Sequence, residues 1–229
     1  MNIPSSIVQI PGLLKAEELQ KMDELLGHIA FEDGKATASG AARAVKNNLQ
    51  TPIAGNTYMQ QAEQIMIQAI SANPLIHATA YPKMILPITI SKYQPGMQYG
   101  WHTDSPLMSN RATIRVDLSM TLFLSDPASY EGGELVIHSP AGYLNFKLNK
   151  GDAVIYPTTR LHCVNPVTKG ERIAAITWMQ SMIRDTEKRE LLLQLKTVQE
   201  MMGTDREHTS EHLMMQQIYS NLVRMWAEL

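Results

Sequence analysis

The chain of 229 residues carries twenty Lys and Arg against twenty-two Asp and Glu, and 44% of its residues are hydrophobic. That length suits one domain with a full hydrophobic core, or one domain with an appendage. Because neither sign of charge is in excess, the composition excludes the basic footprint of a nucleic-acid-binding protein and the basic face of a membrane-surface protein.

The same sequence carries little sign of export or membrane insertion. A single cysteine, Cys163, excludes an internal disulfide and fits a reducing compartment. Residues 1–14 lack a basic segment followed by a long apolar run, so no secretory signal is expected. No apolar stretch approaches the roughly 20 residues needed to cross a bilayer. We therefore expect a cytoplasmic protein with neither a nucleic acid nor a membrane as partner.

The first third of the chain predicts two helices. A short strand is expected over residues 7–14, and apolar residues at helical spacing predict a helix over 15–29. A second helix is predicted over 56–73, with Thr57 and Gln60 at capping-box spacing and Asn73-Pro74 as its end.

Between these helices, residues 32–49 are rich in Ala and Gly and poor in large apolar residues. They predict a long surface loop that leads into an irregular strand. Lys46-Asn47-Asn48 in this loop has two interpretations of equal weight: contacts to a substrate, or asparagines that satisfy the backbone of the loop itself.

From Leu75 onward the pattern is extended, with short strand candidates separated by turns rich in Gly, Pro and Asp. The candidates cover residues 75–80, 83–93, 113–124, 134–138, 142–148, 153–156, 161–164 and 172–182. Many short strands without intervening helices indicate an antiparallel sandwich or jelly roll rather than a parallel α/β sheet. We expect residues 75–183 to form this β core, with the two preceding helices covering one sheet face.

After Arg184 the pattern is helical again, and the last apolar seam, over residues 215–229, lasts only two heptads. A helical pair docked on the domain is favoured, and a homo-oligomer formed through these helices is the alternative. The predicted organisation is a mainly β domain with flanking helices over 1–183, followed by a C-terminal helical extension over 184–229.

The chemistry is expected around His102 and Asp104, which stand two residues apart after a strand and a glycine-bearing turn. Side chains at i and i+2 of an extended strand share a face, so both can reach one ion. His162, on a later strand that a jelly roll can bring back beside the first, would add a second imidazole. Two histidines and a carboxylate leave open positions on non-haem Fe(II), although cobalt, nickel or zinc could use the same ligands.

Arg172 begins the next predicted strand, ten residues past His162. A guanidinium that points into a barrel lacks solvent and needs an anionic partner, and its planar fork suits a carboxylate. Trp178 lies an even number of residues further on and is expected to line the same pocket. Cys163 points the other way and is expected to be a small buried residue.

These residues resemble the signature of Fe(II)/2-oxoglutarate-dependent dioxygenases of the prolyl/lysyl hydroxylase type. The wider context is similar to the bacterial PKHD-type hydroxylases along most of the chain. The segments that carry the likeness are Lys46-Asn47-Asn48, Tyr93-Gln94-Pro95-Gly96, Trp101-His102-Thr103-Asp104, Tyr130-Glu131-Gly132-Gly133-Glu134 and residues 151–157. That family has a double-stranded β-helix, which is the jelly roll that the strand spacing predicts.

The resemblance implies that His102, Asp104 and His162 hold Fe(II), and that Arg172 and Tyr93 bind the cosubstrate 2-oxoglutarate. At Phe123 relatives can carry a second tyrosine, whose hydroxyl is missing here. The implied reaction is hydroxylation of a small-molecule or peptidyl substrate by O2, with 2-oxoglutarate converted to succinate and CO2. The resemblance also implies L-ascorbate (vitamin C) as the reductant that keeps the iron reduced.

Three other functions compete with this one. A cupin-like metal-binding jelly-roll protein that does not use 2-oxoglutarate would keep the triad without needing Arg172, and a binding module without catalysis would need neither. Residues 208–212 match the inverted zinc-protease pattern H-x-x-E-H, but no further His follows them. We therefore interpret that stretch as a solvated helix face.

Overall fold

The protein is described here by a computed structural model that covers residues 6–52, 56–110, 112–203 and 209–229. The helices in these ranges are α1 (Ala16–Leu26), α2 (Gly40–Ala44), α3 (Thr57–Ala72), α4 (Pro74–Ala80), α5 (Thr186–Met202) and α6 (Ser210–Trp226). The strands are β1 (Val8–Ile10), β2 (Glu32–Asp33), β3 (Lys46–Asn47), β4 (Leu49–Gln50), β5 (Pro82–Ile85), β6 (Thr89–Tyr93), β7 (Gln98–His102), β8 (Leu107–Asn110), β9 (Ala112–Arg115), β10 (Leu118–Phe123), β11 (Glu131–Gly132), β12 (Leu135–Ser139), β13 (Gly142–Phe146), β14 (Ala153–Pro157), β15 (His162–Val164), β16 (Val167–Lys169) and β17 (Arg172–Ser181).

Two antiparallel sheets form the framework. The large sheet has eight strands in the order β1-β14-β10-β17-β6-β4-β2, with β5 also paired to β17. The small sheet has five strands in the order β13-β12-β15-β7-β3. Strands that are neighbours in a sheet are mostly distant in sequence, as in a jelly roll, because the chain passes repeatedly from one sheet to the other. The predicted jelly roll with covering helices is therefore confirmed.

The core has two layers because the large sheet is covered on both faces. On its outer face α1, α3 and α4 pack apolar side chains such as Met22 and Met66 against the strands. Between the two sheets lies a second apolar cluster, which includes Phe123 and Ile137. All six residues of β10 are consequently buried, but Ser119 and Thr121 on the inner face are polar and line a cavity.

The structure corrects one predicted strand. Residues 75–80 form the helix α4 rather than a strand, because Asn73 accepts hydrogen bonds from the backbone of Leu75 and Ile76 and Pro74 occupies the first turn. Proline is favoured at that position because the first helical N–H groups have no intrahelical partner. Asn73-Pro74 thus ends α3 and at the same time begins α4.

Other boundaries move by smaller amounts. The predicted strands over 83–93 and 113–124 are each divided in two, giving β5 with β6 and β9 with β10. The N-cap of α3 is Asn56, whose side chain accepts from the Met59 N–H, rather than Thr57.

The C-terminal helices α5 and α6 pack against each other, and α5 also contacts α4. The hydroxyls of Tyr81 and Tyr219 are 2.5 Å apart and share a hydrogen bond at this junction. Ile183 and Leu192 are buried in the same apolar cluster. Across the described ranges, no helix combines the length and apolarity that crossing a membrane would require.

Candidate functional site

The position of His102 depends on an irregularity in β7. In the pairing of β7 with β15, His102 lies opposite His162 and Tyr99 lies opposite Val164. Three steps along β7 therefore match two along β15, which is the signature of a β-bulge. Because of the extra residue, Tyr99 and His102 both line the cavity despite their odd spacing, and their rings stack with centroids 3.6 Å apart.

His102, Asp104 and His162 converge at the end of β7. Each offers one ligand atom, and these three atoms all lie within 4.8 Å of one another. Asp104 follows the last residue of β7, and its Oδ1 is 3.8 Å from Nε2 of His162. Its Oδ2 is buried and has no hydrogen-bond partner among the described residues. A buried carboxylate oxygen without a donor is what a cation site requires.

The two imidazoles are oriented by backbone carbonyls. Nδ1 of His102 lies 2.7 Å from the Gly100 carbonyl, and Nδ1 of His162 lies 3.0 Å from the Arg160 carbonyl. A carbonyl can only accept, so Nδ1 carries the proton in each ring and Nε2 keeps a free lone pair. This outer hydrogen bond is the arrangement that fixes metal-binding histidines.

Burial also keeps His102 neutral. It lowers the pKa of His102 to about 3, with the nearby His162 acting in the same direction and the Gly100 carbonyl opposing it. A neutral imidazole can donate its lone pair to a metal, whereas a protonated one cannot.

The cavity that contains the triad has a volume of about 240 Å³ and lies between the two sheets. Arg172, the first residue of β17, lines it and is only 1% exposed. Nε and Nη2 of its guanidinium are buried and have no hydrogen-bond partner in the described part of the chain. A buried cation with unused donors needs an anionic ligand, and the planar fork fits a carboxylate.

Aromatic rings and a glycine hold the Arg172 side chain in place. The guanidinium carbon lies 5.2 Å from the ring centre of Tyr93 and 5.5 Å from that of Phe123. Gly133 has a φ of +68°, and a Cβ there would come within 3.0 Å of the Arg172 Cδ. Gly133 therefore leaves room for the arginine stem, whereas a Cβ at Gly132 would meet the Pro166 carbonyl oxygen instead.

Two further predicted residues behave as the strand pattern indicates. Trp178 lines the same cavity as Arg172, and its Nε1 is buried without a partner among the described residues. Cys163 is 6% exposed and does not line this cavity. Burial raises the pKa of its thiol to about 11, which makes it a poor metal ligand at neutral pH.

The segment 32–49 differs from the predicted surface loop. It contains α2, β2, β3 and the start of β4, and its side chains form one wall of the cavity. Lys46 is 4% exposed and lines this wall, as does Gln50 just beyond the segment. Asn47 donates to the Gly96 carbonyl at 3.2 Å, so of the two interpretations this asparagine follows the backbone one.

Several residues of the site carried no usable signal in the sequence. Tyr99 lines the cavity only because of the bulge. Tyr156 lies on a strand whose sequence predicts only core packing, and its ring packs edge-on against that of His162 with the centroids 5.1 Å apart. Ser119 and Thr121, which alternate with apolar residues along β10, were the visible clue to a polar inner face. Of the 208–212 pattern, His208 lies outside the described residues, and His212 is on α6, apart from the cavity.

The arrangement brings together every residue that the sequence selected for chemistry: His102, Asp104, His162, Arg172, Tyr93 and Trp178 all line one cavity. The donor set fits a divalent first-row metal, since it combines two neutral imidazoles with a carboxylate. The unpaired guanidinium fits an organic acid bound beside that metal.

Comparisons with known proteins agree with this geometry. The family model described as the 2OG-Fe(II) oxygenase superfamily matches residues 88–180. A PKHD-type hydroxylase of Synechococcus sp. is 44% identical over 97% of this chain and 100% of its own, and one of Thermosynechococcus vestitus is 42% identical over the same shares.

Solved structures show the same fold at low identity. A prolyl-4-hydroxylase of Pseudomonas putida has a TM-score of 0.54 at 16% identity, over 77% of this chain and 93% of that one. HygX of Streptomyces hygroscopicus, with nickel, 2-oxoglutarate and hygromycin B bound, has a TM-score of 0.55 at 12% identity, over 78% of this chain and 84% of that one.

Proposed function

Because the chain belongs to the PKHD-type hydroxylases of the 2OG-Fe(II) oxygenase superfamily, we propose that His102, Asp104 and His162 hold its Fe(II). The protein is an Fe(II)- and 2-oxoglutarate-dependent hydroxylase, and within it Arg172 binds the distal carboxylate of the cosubstrate. Tyr93, paired with Arg172 across β6 and β17, contributes to the same pocket.

One observation carries the assignment of residues. The converging triad and the buried guanidinium of Arg172 line a single cavity, and in the described part of the chain each leaves a polar atom without a hydrogen-bond partner. A metal accounts for the unpaired Oδ2 of Asp104, and a dicarboxylate accounts for the unpaired donors of Arg172. A metal together with an organic acid therefore satisfies both groups.

When bound at these residues, Fe(II) and 2-oxoglutarate would supply the O2 chemistry of the reaction, in which 2-oxoglutarate becomes succinate and CO2 and one oxygen atom is added to the substrate. The residues of this chain position those groups. The Gly100 and Arg160 carbonyls fix the rings of His102 and His162, so that both Nε2 atoms point to one ion. Arg172 would orient the cosubstrate beside the metal.

The cupin-like alternative is less well supported. A metal site that uses no 2-oxoglutarate would leave the Nε and Nη2 donors of Arg172 buried and unpaired, at a cost of about 1–3 kcal/mol for each. An organic acid bound beside the metal would pair with those donors.

The test of this function is a balance of products. Under O2, Fe(II) and 2-oxoglutarate, the wild-type protein should release succinate, and L-ascorbate should prolong turnover by keeping the iron reduced. Fractions of a cell extract that stimulate succinate release should contain a molecule that gains one oxygen atom by mass spectrometry. Absence of succinate under all these conditions would contradict the proposal.

The substrate of this chain is proposed to be a small molecule or a peptide. The prolyl-4-hydroxylase and HygX neighbours support both classes, since one is named for prolyl hydroxylation and the other holds hygromycin B. O2 is the second substrate in either case.

Organisation and location are also proposed. Residues 1–183 are the catalytic domain and 184–229 its helical extension, which the junction of α4, α5 and α6 supports. Exposed apolar side chains on these helices, such as Met214 and Met225, support a homo-oligomer formed through them, which sedimentation measurements would test. The buried Cys163 thiol supports work in the reducing cytoplasm.

A further inference from the structure

We propose that Lys46 forms a second anion-binding position in the catalytic cavity and that it anchors a carboxylate of the substrate. The substrate is accordingly an organic acid, or a peptide that presents an acidic group. This inference rests on the proposed function, in which Arg172 and the metal triad bind 2-oxoglutarate and Lys46 has no assigned ligand.

Lys46 and Arg172 approach the cavity from different sheets. Lys46 lies on β3 at the edge of the small sheet, opposite Tyr99 of β7, whereas Arg172 begins β17 in the large sheet. Both are almost fully buried, with exposed fractions of 4% and 1%. Both line the cavity that contains the triad, so this cavity has two buried cations.

The ammonium group of Lys46 is incompletely satisfied. It donates to Thr37 Oγ1 at 2.8 Å and to Gln50 Oε1 at 2.9 Å, and both acceptors are uncharged. An ammonium has three donors, so one remains for a ligand. The carboxylates of Asp33 and Asp104 act on Lys46 through longer-range charge rather than through a hydrogen bond in the described part of the chain.

The surroundings of Lys46 are built to hold it in this position. The Gln50 amide that receives the lysine is itself fixed, because its Nε2 donates to Ser91 Oγ at 2.8 Å. Thr37 and Gln50 also hydrogen-bond to each other. The ring centre of Tyr99 lies 5.1 Å from the ammonium nitrogen, and that same ring stacks on His102.

The charge of Lys46 is only partly compensated by the protein. Burial lowers the pKa of Lys46 to about 8, and the charges of Asp33 and Asp104 only partly oppose this. A lysine that merely tied β3 to its neighbours could be replaced by a neutral donor at lower cost. An anion against the third N–H would oppose this lowering and stabilise the charged ammonium.

Under the proposed function, Arg172 and the metal account for both carboxylates of 2-oxoglutarate, so Lys46 has no anion assigned to it. The single positive charge of Lys46 and its one free donor match a carboxylate better than a phosphate dianion, which needs more donors. The remaining molecule in the cavity is the substrate, so the anion is part of the substrate.

The experiment measures the pKa of Lys46 in the assembled protein. Protein carrying 13C at lysine Cε, loaded with Zn(II) and saturated with 2-oxoglutarate, is titrated with pH, and the Lys46 signal is identified by its loss in Lys46→Arg. Acetate should raise the Lys46 pKa by about one unit or more, whereas acetamide, its neutral counterpart, should not. Lys169, whose side chain is 76% exposed, is the internal control and should not respond.

The other arms of the experiment identify the source of the carboxylate or overturn the inference. A blocked tripeptide with a central aspartate that matches the acetate effect indicates a peptide substrate, and an effect of acetate alone indicates a small organic acid. An absent acetate effect, an equal effect of acetamide, or a response to inorganic phosphate alone contradicts the inference. Failure of 2-oxoglutarate to bind the same sample would instead count against the proposed function.

Discussion

Replacing Arg172 with methionine should make the ligand-free protein no less stable while destroying its affinity for 2-oxoglutarate. Two buried donors of Arg172 have no hydrogen-bond partner among the described residues, and each unpaired donor costs about 1–3 kcal/mol. Methionine removes those donors and keeps much of the apolar stem. We expect the free energy of unfolding to stay the same or rise by up to about 4 kcal/mol.

The same substitution should weaken 2-oxoglutarate binding severely. Loss of one partner from a buried, hydrogen-bonded charge pair costs about 2–5 kcal/mol, and about 1.4 kcal/mol corresponds to a tenfold change. The dissociation constant for 2-oxoglutarate, measured by anaerobic calorimetry on Fe(II) protein, should therefore rise by about 30-fold to several thousand-fold.

Arg189 provides a matched control with the opposite expectation. It is also buried, but its guanidinium donates to the Ile183 and Arg184 carbonyls and to Thr186 Oγ1. Arg189→Met should lower the free energy of unfolding by about 1–3 kcal/mol for each abandoned carbonyl and leave 2-oxoglutarate affinity unchanged. Urea denaturation at constant m-value compares the two variants. If Arg172→Met destabilises the protein as much as Arg189→Met, the reasoning about Arg172 is refuted.

Three other substitutions test separate parts of the site. Asp104→Ala should abolish succinate release while the metal-free protein keeps its thermal midpoint, because Oδ2 has no hydrogen-bond partner to lose in the described ranges. Retained turnover would remove Asp104 from the triad. Gly133→Ala should weaken 2-oxoglutarate binding by crowding the Arg172 Cδ. Gly142→Ala is the control, because φ is also positive there, at +112°, but an added Cβ would meet open space; it should cost only about 1–3 kcal/mol of strain and spare binding. In ligand-free protein, the free energy of unfolding of the wild type relative to that of Lys46→Met should rise by up to about 3 kcal/mol between pH 8 and 10.5. The unfolded chain keeps the Lys46 proton up to its pKa of 10.5, whereas burial lowers the pKa in the folded chain to about 8. A difference that stays constant across that range would show that Lys46 is not desolvated.

The sequence predicted the parts of the site that depend on short spacing and on strand order. His102 and Asp104 are close in sequence, and the jelly-roll order brings β15 beside β7. The sequence alone therefore predicts that His162 lies beside His102. The role of Arg172 as a carboxylate receptor was predicted because a buried positive charge needs an anionic partner. These inferences succeeded because each depends on a local pattern combined with one topological rule.

The parts that the sequence did not predict depend on geometry that has no periodic pattern. The bulge in β7 adds one residue without any distinctive composition, so the position of Tyr99 could not be predicted. Residues 32–49 have no apolar period because most of their side chains are exposed and only a few, such as Thr37 and Lys46, line the cavity. Lys46 therefore looked like part of a surface loop. The strand predicted over residues 75–80 is wrong because the Asn73 cap and Pro74 favour a helix more strongly than the composition of the segment favours a strand.

The most direct test of the central claim is the visible spectrum of the anaerobic protein with Fe(II) as 2-oxoglutarate is added. Wild-type protein should develop a weak charge-transfer band that saturates with one equivalent of cosubstrate. Asp104→Ala should show no band, and Arg172→Met should need far more 2-oxoglutarate to produce one while still binding iron. A wild-type spectrum without the band, or a band in Arg172→Met that saturates at the wild-type concentration, would contradict the account.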